Sequence, residues 1–309
     1  VKRFDIVALG EGMVEFNQTR PDEPHWLQGF GGDTSNAIVA AARAGARTAY
    51  LTRVGDDVFG RDLLRLWSEE GVDTSVVETD AQAPTGLYFV NHGPDGHAFT
   101  YRRAGSAAAR MTARWLRDGP AAQAIRGSRI LHVSGISLAI SPEAREAAFC
   151  AMAMARECGT LVSFDANLRL KLWTLQEALP AMRQAIALAD IFLPSLDEIA
   201  LLTGLQEPQA VLDWGHAMGA RVVLLKLGER GSVASEAGRA QAIPPRAVAA
   251  VDATGAGDCF AGNFLARIAA GDGVADAARY ANAAAALAVQ GWGAVAPLPR
   301  PAQVRELLQ

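Results

Sequence analysis

The chain has 309 residues, half of them apolar and a fifth charged, enough for a large core in one α/β domain or two smaller ones. Its formal net charge of −4 argues against nucleic acid or an acidic membrane surface as the main partner. Three cysteines (Cys150, Cys158, Cys259) have no metal-ligand spacing and leave one unpaired in any disulfide scheme, no apolar run reaches membrane-spanning length, and the opening residues do not read as a secretion signal, so a cytoplasmic protein is expected.

In chain order, Asp5 to Leu9 reads as a buried strand ending at Gly10. Residues 11–30 carry Gly, Pro and alternating apolar positions and read as an excursion of short strands. Gly31-Gly32-Asp33-Thr34-Ser35-Asn36 opens a helix over Ala37 to Ala44, stopped by Gly45. Thr48 to Val54 reads as a strand, and Phe59 to Glu70 as an amphipathic helix with Leu63, Leu64, Leu66 and Trp67 on its apolar side. Gly86 to Asn91 and His97 to Arg102 are β-rich runs around Pro94-Asp95-Gly96, a hairpin signal.

From Arg129 onward strands (Ile130 to Val133, Thr160 to Phe164, Ile191 to Leu193, Val222 to Lys226) alternate with helices (Pro142 to Glu157, Leu175 to Ala189, Asp197 to Thr203, Val211 to Met218). That alternation implies a mostly parallel sheet with helices on both faces. The β material at 11–30 and 84–103 does not fit such a sheet. It predicts a small separate β-sheet, a lid, built from two insertions into a single 1–309 domain.

The most informative stretch is Val251 to Phe260. An apolar run, Ala247 to Val251, reads as a strand or strand end that feeds a small-residue turn, and Phe260, Phe264, Leu265 and Ile268 then repeat at helical spacing. Backbone N–H groups at a helix start lack partners and sit at the positive end of the macrodipole. Gly255, Ala256 and Gly257 are small enough to let that backbone close on an anion, and the Asp258 carboxylate stands beside them. An anion hole next to a base suits phosphoryl transfer to a hydroxyl. A helix cap is the alternative role for Asp258.

Other stretches carry paired readings. Gly31 and Gly32 with Asn36 could be a turn and cap, or part of a site. Ser195 and Glu198 fit an S-x-x-E capping box as well as a polar cluster at a strand end. Asn282 is an odd polar residue in an Ala-rich helix and could bond locally there. Arg102 and Arg103 end a β-run, so one faces a pocket and the other water. Arg169 follows a buried strand, where open α/β sheets bind ligands. A neutral sugar needs no arginine pair, whereas a sugar acid matches the guanidinium fork. Two surface arginines are the alternative.

The run D-x-T-G-A-G-D-x-F at 252–260 resembles the C-terminal signature of the ribokinase-like (phosphofructokinase-B) carbohydrate kinases, with Ala253 where Thr is common. GGxxxN at 31–36 resembles that family's N-terminal sugar-binding signature. The resemblance implies a ribokinase-like fold, ATP and Mg²⁺, Asp258 as general base, and Gly255, Ala256 and Gly257 as the anion hole. Residues 195–198 resemble the N-x-x-E motif with Ser195 in place of Asn, which puts Glu198 near Mg²⁺ through water. Residues 226–231 resemble the K-x-G-x-x-G nucleotide loop, with Lys226, Gly228 and Gly231, and Asn282 stands where an adenine-side contact is expected. Y-R-R-x-G-S-A at 101–107, D-x-N-L-R-x-x-L-W at 165–173 and GGDT at 31–34 resemble the 2-keto-3-deoxygluconate kinase branch. Carried across, Arg103 and Arg169 take the carboxylate of a sugar acid, Tyr88 and Tyr101 contact its chain, and Gly31, Gly32 and Asn36 line its site. The alternatives are a neutral-sugar kinase and a non-catalytic sugar-binding protein. An exposed lid edge makes a homo-oligomer the expectation.

Overall fold

The computed structural model describes residues 2–18, 20, 23–93 and 96–309. Its strands are β1 (Phe4–Leu9), β2 (Met13–Asn17), β3 (Leu27–Gly31), β4 (Thr48–Leu51), β5 (Arg53–Gly55), β6 (Val72–Asp73), β7 (Glu78–Asp80), β8 (Gly86–Gly93), β9 (Gly96–Arg102), β10 (Ser128–Ser134), β11 (Leu161–Asp165), β12 (Ile191–Leu193), β13 (Val222–Lys226), β14 (Ser232–Glu236) and β15 (Arg239–Ile243). The helices are α1 (Asp33–Arg43), α2 (Val58–Glu69), α3 (Ala113–Arg117), α4 (Pro120–Arg126), α5 (Gly135–Ala139), α6 (Pro142–Glu157), α7 (Leu175–Leu188), α8 (Leu196–Thr203), α9 (Pro208–Ala217), α10 (Ala256–Ala270), α11 (Val274–Ala288) and α12 (Pro301–Leu308).

The main sheet runs β15-β14-β13-β12-β11-β10-β1-β4-β6. It is parallel from β6 to β13, and β14 and β15 add an antiparallel hairpin. Side chains alternate between its two faces. Val7, Leu131, Val223 and Leu225 enter one buried core with α6 and α7, while Ile6, Ile130, Val222 and Leu224 enter the other with α1, α10 and α11. Both faces are covered, which is why these strands read as continuous apolar runs. Helices α1 and α10 approach closely at Gly262, where a Cβ would stand 2.1 Å from the Ala37 carbonyl oxygen.

The second sheet has the order β3-β2-β8-β9, and its strands fall in the two stretches expected to leave the main sheet. Met13, Tyr88 and Val90 form its small core with Phe99 and Tyr101 against them. The predicted Pro94-Asp95 tip lies outside the described residues.

Two expectations are corrected. The strand over Thr48 to Val54 breaks at Thr52 into β4 and β5, which join different sheets. No strand precedes the turn at 252–258. The segment 244–250 has no regular structure, because Pro244 and Pro245 remove two ladder donors directly after β15.

Candidate active site

A cavity of about 1040 Å³ opens at the C-terminal ends of β11 and β13, between the first turns of α1 and α10 and the small sheet. Open α/β sheets place ligands at such strand ends. Met13, Tyr88, Phe99, Tyr101 and Arg103 come to it from the small sheet and its exit.

The first turn of α1 is pinned by four consecutive polar side chains, each tied to a different element. Asp33 Oδ2 accepts from Asn167 Nδ2 at 2.8 Å. The Thr34 hydroxyl pairs with Tyr50 OH at 2.9 Å, and Trp67 Nε1 donates to Ser35 Oγ at 2.9 Å. Asn36 Nδ2 donates to Asp258 Oδ2 at 2.8 Å. Gly32, Asp33 and Asn36 line the cavity. Gly31 does not line it. It ends β3 where a Cβ would stand 2.1 Å from the Tyr88 hydroxyl, so its smallness serves packing.

The turn into α10 is equally constrained. Asp252 accepts from the backbone N–H of Thr254 and of Gly293, both at 2.9 Å. Gly255 is the N-cap at φ 74°, a left-handed conformation that favours glycine. Gly255 and Gly257 line the cavity, and among the described residues their N–H groups have no hydrogen-bond partner. Ala256 is not at the cavity surface, and its N–H turns back to the Ala253 carbonyl at 3.2 Å. The helix start has no side-chain cap, so the capping role open for Asp258 is not used. Instead Asp258 lies at the cavity wall with its carboxyl pushed up to about 7, by burial first and by the Asp33 charge second, against the pull of Asn36 and Arg169.

Across the cavity, Lys226 Nζ lies 2.8 Å from both oxygens of Asp165. Burial alone would lower the ammonium, but Asp165, Glu198 and Asp258 together hold it above its ordinary value. Ser195 is the N-cap of α8 without a side-chain hydrogen bond, so the alternative capping box does not form. Glu198 ion-pairs with Arg169 at 3.3 Å through Oε1, and its buried Oε2 has no hydrogen-bond partner. Among the described residues no group of three or more His, Cys, Asp or Glu could hold a metal. Glu198, with its unpartnered buried Oε2, fits a divalent cation held mainly by phosphates and water.

Arg103 lines the cavity with its side chain 9% exposed, ion-paired to Glu11, which is 1% exposed and accepts from Ser106 Oγ at 2.7 Å. Arg102 points to solvent, as alternation predicts. The Arg169 side chain lines the cavity and is 48% exposed. Tyr88 and Tyr101 face each other across β8 and β9, and Tyr88 OH donates to Glu15 Oε2 at 2.5 Å.

Two expected nucleotide contacts are not at the cavity surface. Gly231 closes the turn after β13, with its N–H bonded to the Gly228 carbonyl, while Gly228 itself lines the cavity. Asn282 bonds neither within its helix nor into the cavity. Its Oδ1 accepts from Ser232 Oγ at 3.2 Å and its Nδ2 donates to the carbonyls of Ile243 and Pro244 at 3.2 Å, so the amide is used to tie down the loop after β15. Conversely, Asp33, Asp165, Asn167 and Glu11 were assigned no role from sequence. The first three lie inside the GGDT and D-x-N-L-R stretches that were singled out, whereas Glu11 carries no sequence signal of its own.

Residues 3–301 match the family model described as pfkB family carbohydrate kinase. The chain is 33% identical to a 2-dehydro-3-deoxygluconokinase from Thermoproteus tenax, over 99% of this chain and 94% of that protein. It is 32% identical to a probable fructokinase-4 from Arabidopsis thaliana, over 98% and 96%. Among solved structures, a putative ribokinase II from E. coli in complex with ATP and Mg²⁺ superposes with a TM-score of 0.90 at 25% identity, over 98% of each chain. Fold, cavity and matches agree that the chain belongs to the pfkB family of carbohydrate kinases, with a ribokinase-like fold.

Proposed function

We propose that this kinase transfers the γ-phosphoryl group of ATP to the terminal hydroxyl of 2-keto-3-deoxygluconate, giving 2-keto-3-deoxy-6-phosphogluconate and ADP. The observation that carries the reading is the pair of arginines, Arg103 and Arg169, in the wall of the same cavity as Asp258. Guanidinium groups there match a substrate carboxylate, and the Thermoproteus tenax relative bears that activity in its name.

In this reading Asp258 takes the proton from the substrate hydroxyl as its oxygen bonds to the γ-phosphorus and the bond to ADP breaks. A carboxyl raised to about 7 suits that task, because near neutral pH a good part of it is ionised and it is basic enough to accept a proton. The unpartnered N–H groups of Gly255 and Gly257 hold the charge on the transferring group. The Lys226 ammonium adds to it from across the cavity. Mg²⁺, met through Glu198, supplies charge neutralisation on the phosphates. The small sheet acts as a lid, covering the acceptor so that water does not compete.

A neutral-sugar acceptor is the second reading. One observation favours it: both arginines already face a carboxylate, Glu11 and Glu198, which offsets the charge a sugar acid would meet. Kinase assays on a panel of keto acids and neutral sugars, with wild type and Arg169→Ala, separate the two. The sugar-acid reading expects Arg169→Ala to cut kcat/KM for 2-keto-3-deoxygluconate by at least about tenfold and to do much less to fructose. A wild type that prefers fructose, with the variant acting equally on all acceptors, would sink it and leave the kinase.

A further inference from the structure

Arg103 stands between the cavity and a second charge. Its side chain lines the cavity, whereas its ion-pair partner Glu11, just past the end of β1, lies behind it and does not reach the cavity surface. The Glu11 carboxylate is firmly seated. Buried Ser106 donates to Oε1 at 2.7 Å, and a Cβ on Gly86 would stand 2.8 Å from the same oxygen. The Ser106 N–H returns to the Arg103 carbonyl at 3.0 Å, so the turn that carries Arg103 also carries the group that fixes Glu11. The pair is a charge contact more than a hydrogen bond. Nε and Nη2 of Arg103 and Oε2 of Glu11 are all buried without a hydrogen-bond partner. The guanidinium is kept in place by burial and by the Tyr101 ring, whose centroid lies 5.6 Å away. Folding therefore leaves N–H donors on Arg103 unused while its charge is already cancelled. Around Arg169 this does not hold, because that side chain is 48% exposed and water screens both it and its partner.

We infer that Glu11 is a specificity-determining residue: by cancelling the charge of Arg103 from behind, it lets an uncharged oxygen and a carboxylate meet the same guanidinium on nearly equal terms. Arg103 then offers an acceptor hydrogen-bond donors but little net attraction. Removing the one negative charge turns the site toward acids. The inference rests on the reading that Arg103 faces the acceptor. It concerns the change in preference, so it stands whether wild type favours a keto acid or a neutral sugar.

The test reads the ratio of kcat/KM for 2-keto-3-deoxygluconate to that for the neutral sugar used best, in wild type, Glu11→Gln, Glu11→Met, Glu11→Asp and Arg103→Met. Glu11→Gln and Glu11→Met both remove the charge at nearly constant length. The second also avoids setting an amide N–H against the guanidinium, and serves if the first does not fold. Melting curves identify the folded variants. Both should raise the ratio at least about fivefold, mainly through a lower KM for the acid, because buried charges are little screened. Glu11→Asp keeps the charge and should leave the ratio within about twofold of wild type. A merely structural role would move both acceptors together. An unmoved ratio in the charge-removing variants, or a fall, would overturn the inference. Arg103→Met tells the two failures apart. An acid-selective loss there, with the ratio unmoved in the Glu11 variants, removes the role of Glu11 alone. Equal losses on both acceptors remove Arg103 from the acceptor site, and the inference with it.

Discussion

Asn36 donates to Asp258 at 2.8 Å, joining side chains 222 residues apart in sequence and linking the first turns of α1 and α10. The bond favours the ionised carboxylate and so opposes the upward push of burial and Asp33.

Asn36→Ala should therefore raise the Asp258 carboxyl further. The acid limb of kcat/KM moves to higher pH, and the loss of activity is larger at pH 6.5 than at pH 9. A pH–rate profile checks this. A loss of equal size at every pH would mean that the bond only packs the two helices.

Asp258→Asn should separate activity from stability. Turnover falls by roughly 10²–10⁴, the range for a positioned general base. A carboxyl raised from its usual 3.8 to about 7 in the folded state makes ionisation unfavourable to folding above the unfolded value. The variant should melt higher than wild type at pH 8, and the difference should shrink to near zero only below about pH 3, where Asp258 is protonated in both the folded and the unfolded chain. Calorimetry at the two pH values reads it, and a lower Tm at pH 8 would contradict the assigned cause.

Lys226→Met should destabilise the protein by about 3 kcal/mol, because it strands the buried Asp165 carboxylate. Adding Asp165→Asn to that variant should restore part of the loss. Urea unfolding of the two single variants and the double measures the coupling, and strictly additive effects would show that the ion pair is worth nothing to the fold.

The alternating strands and helices after residue 129 were legible because each strand is buried on both faces and reads as an apolar run. The turns opening α1 and α10 were legible because small residues beside a helix start leave few other uses. The hairpin β14–β15 escaped notice: β15 is largely exposed, so its sequence lacks an apolar pattern. The partners of Asn282 were not legible, since one polar residue among alanines gives no direction, and they come from β14 and the end of β15. The ion pairs of Arg103 and Arg169 were also invisible. Each guanidinium meets a carboxylate brought to it only by the fold.

The close seating of α10 on α1 at Gly262 has a consequence for synthesis. Residues 33–36 and the small sheet leave the ribosome long before residue 258, while α1 finds its packing partner α10 only near the end of the chain. On the proposed reading, the residues of the sugar cleft are made early, but the base and the anion hole arrive only with α10. A chain cut short before residue 255 lacks both, and on that reading can consume no ATP.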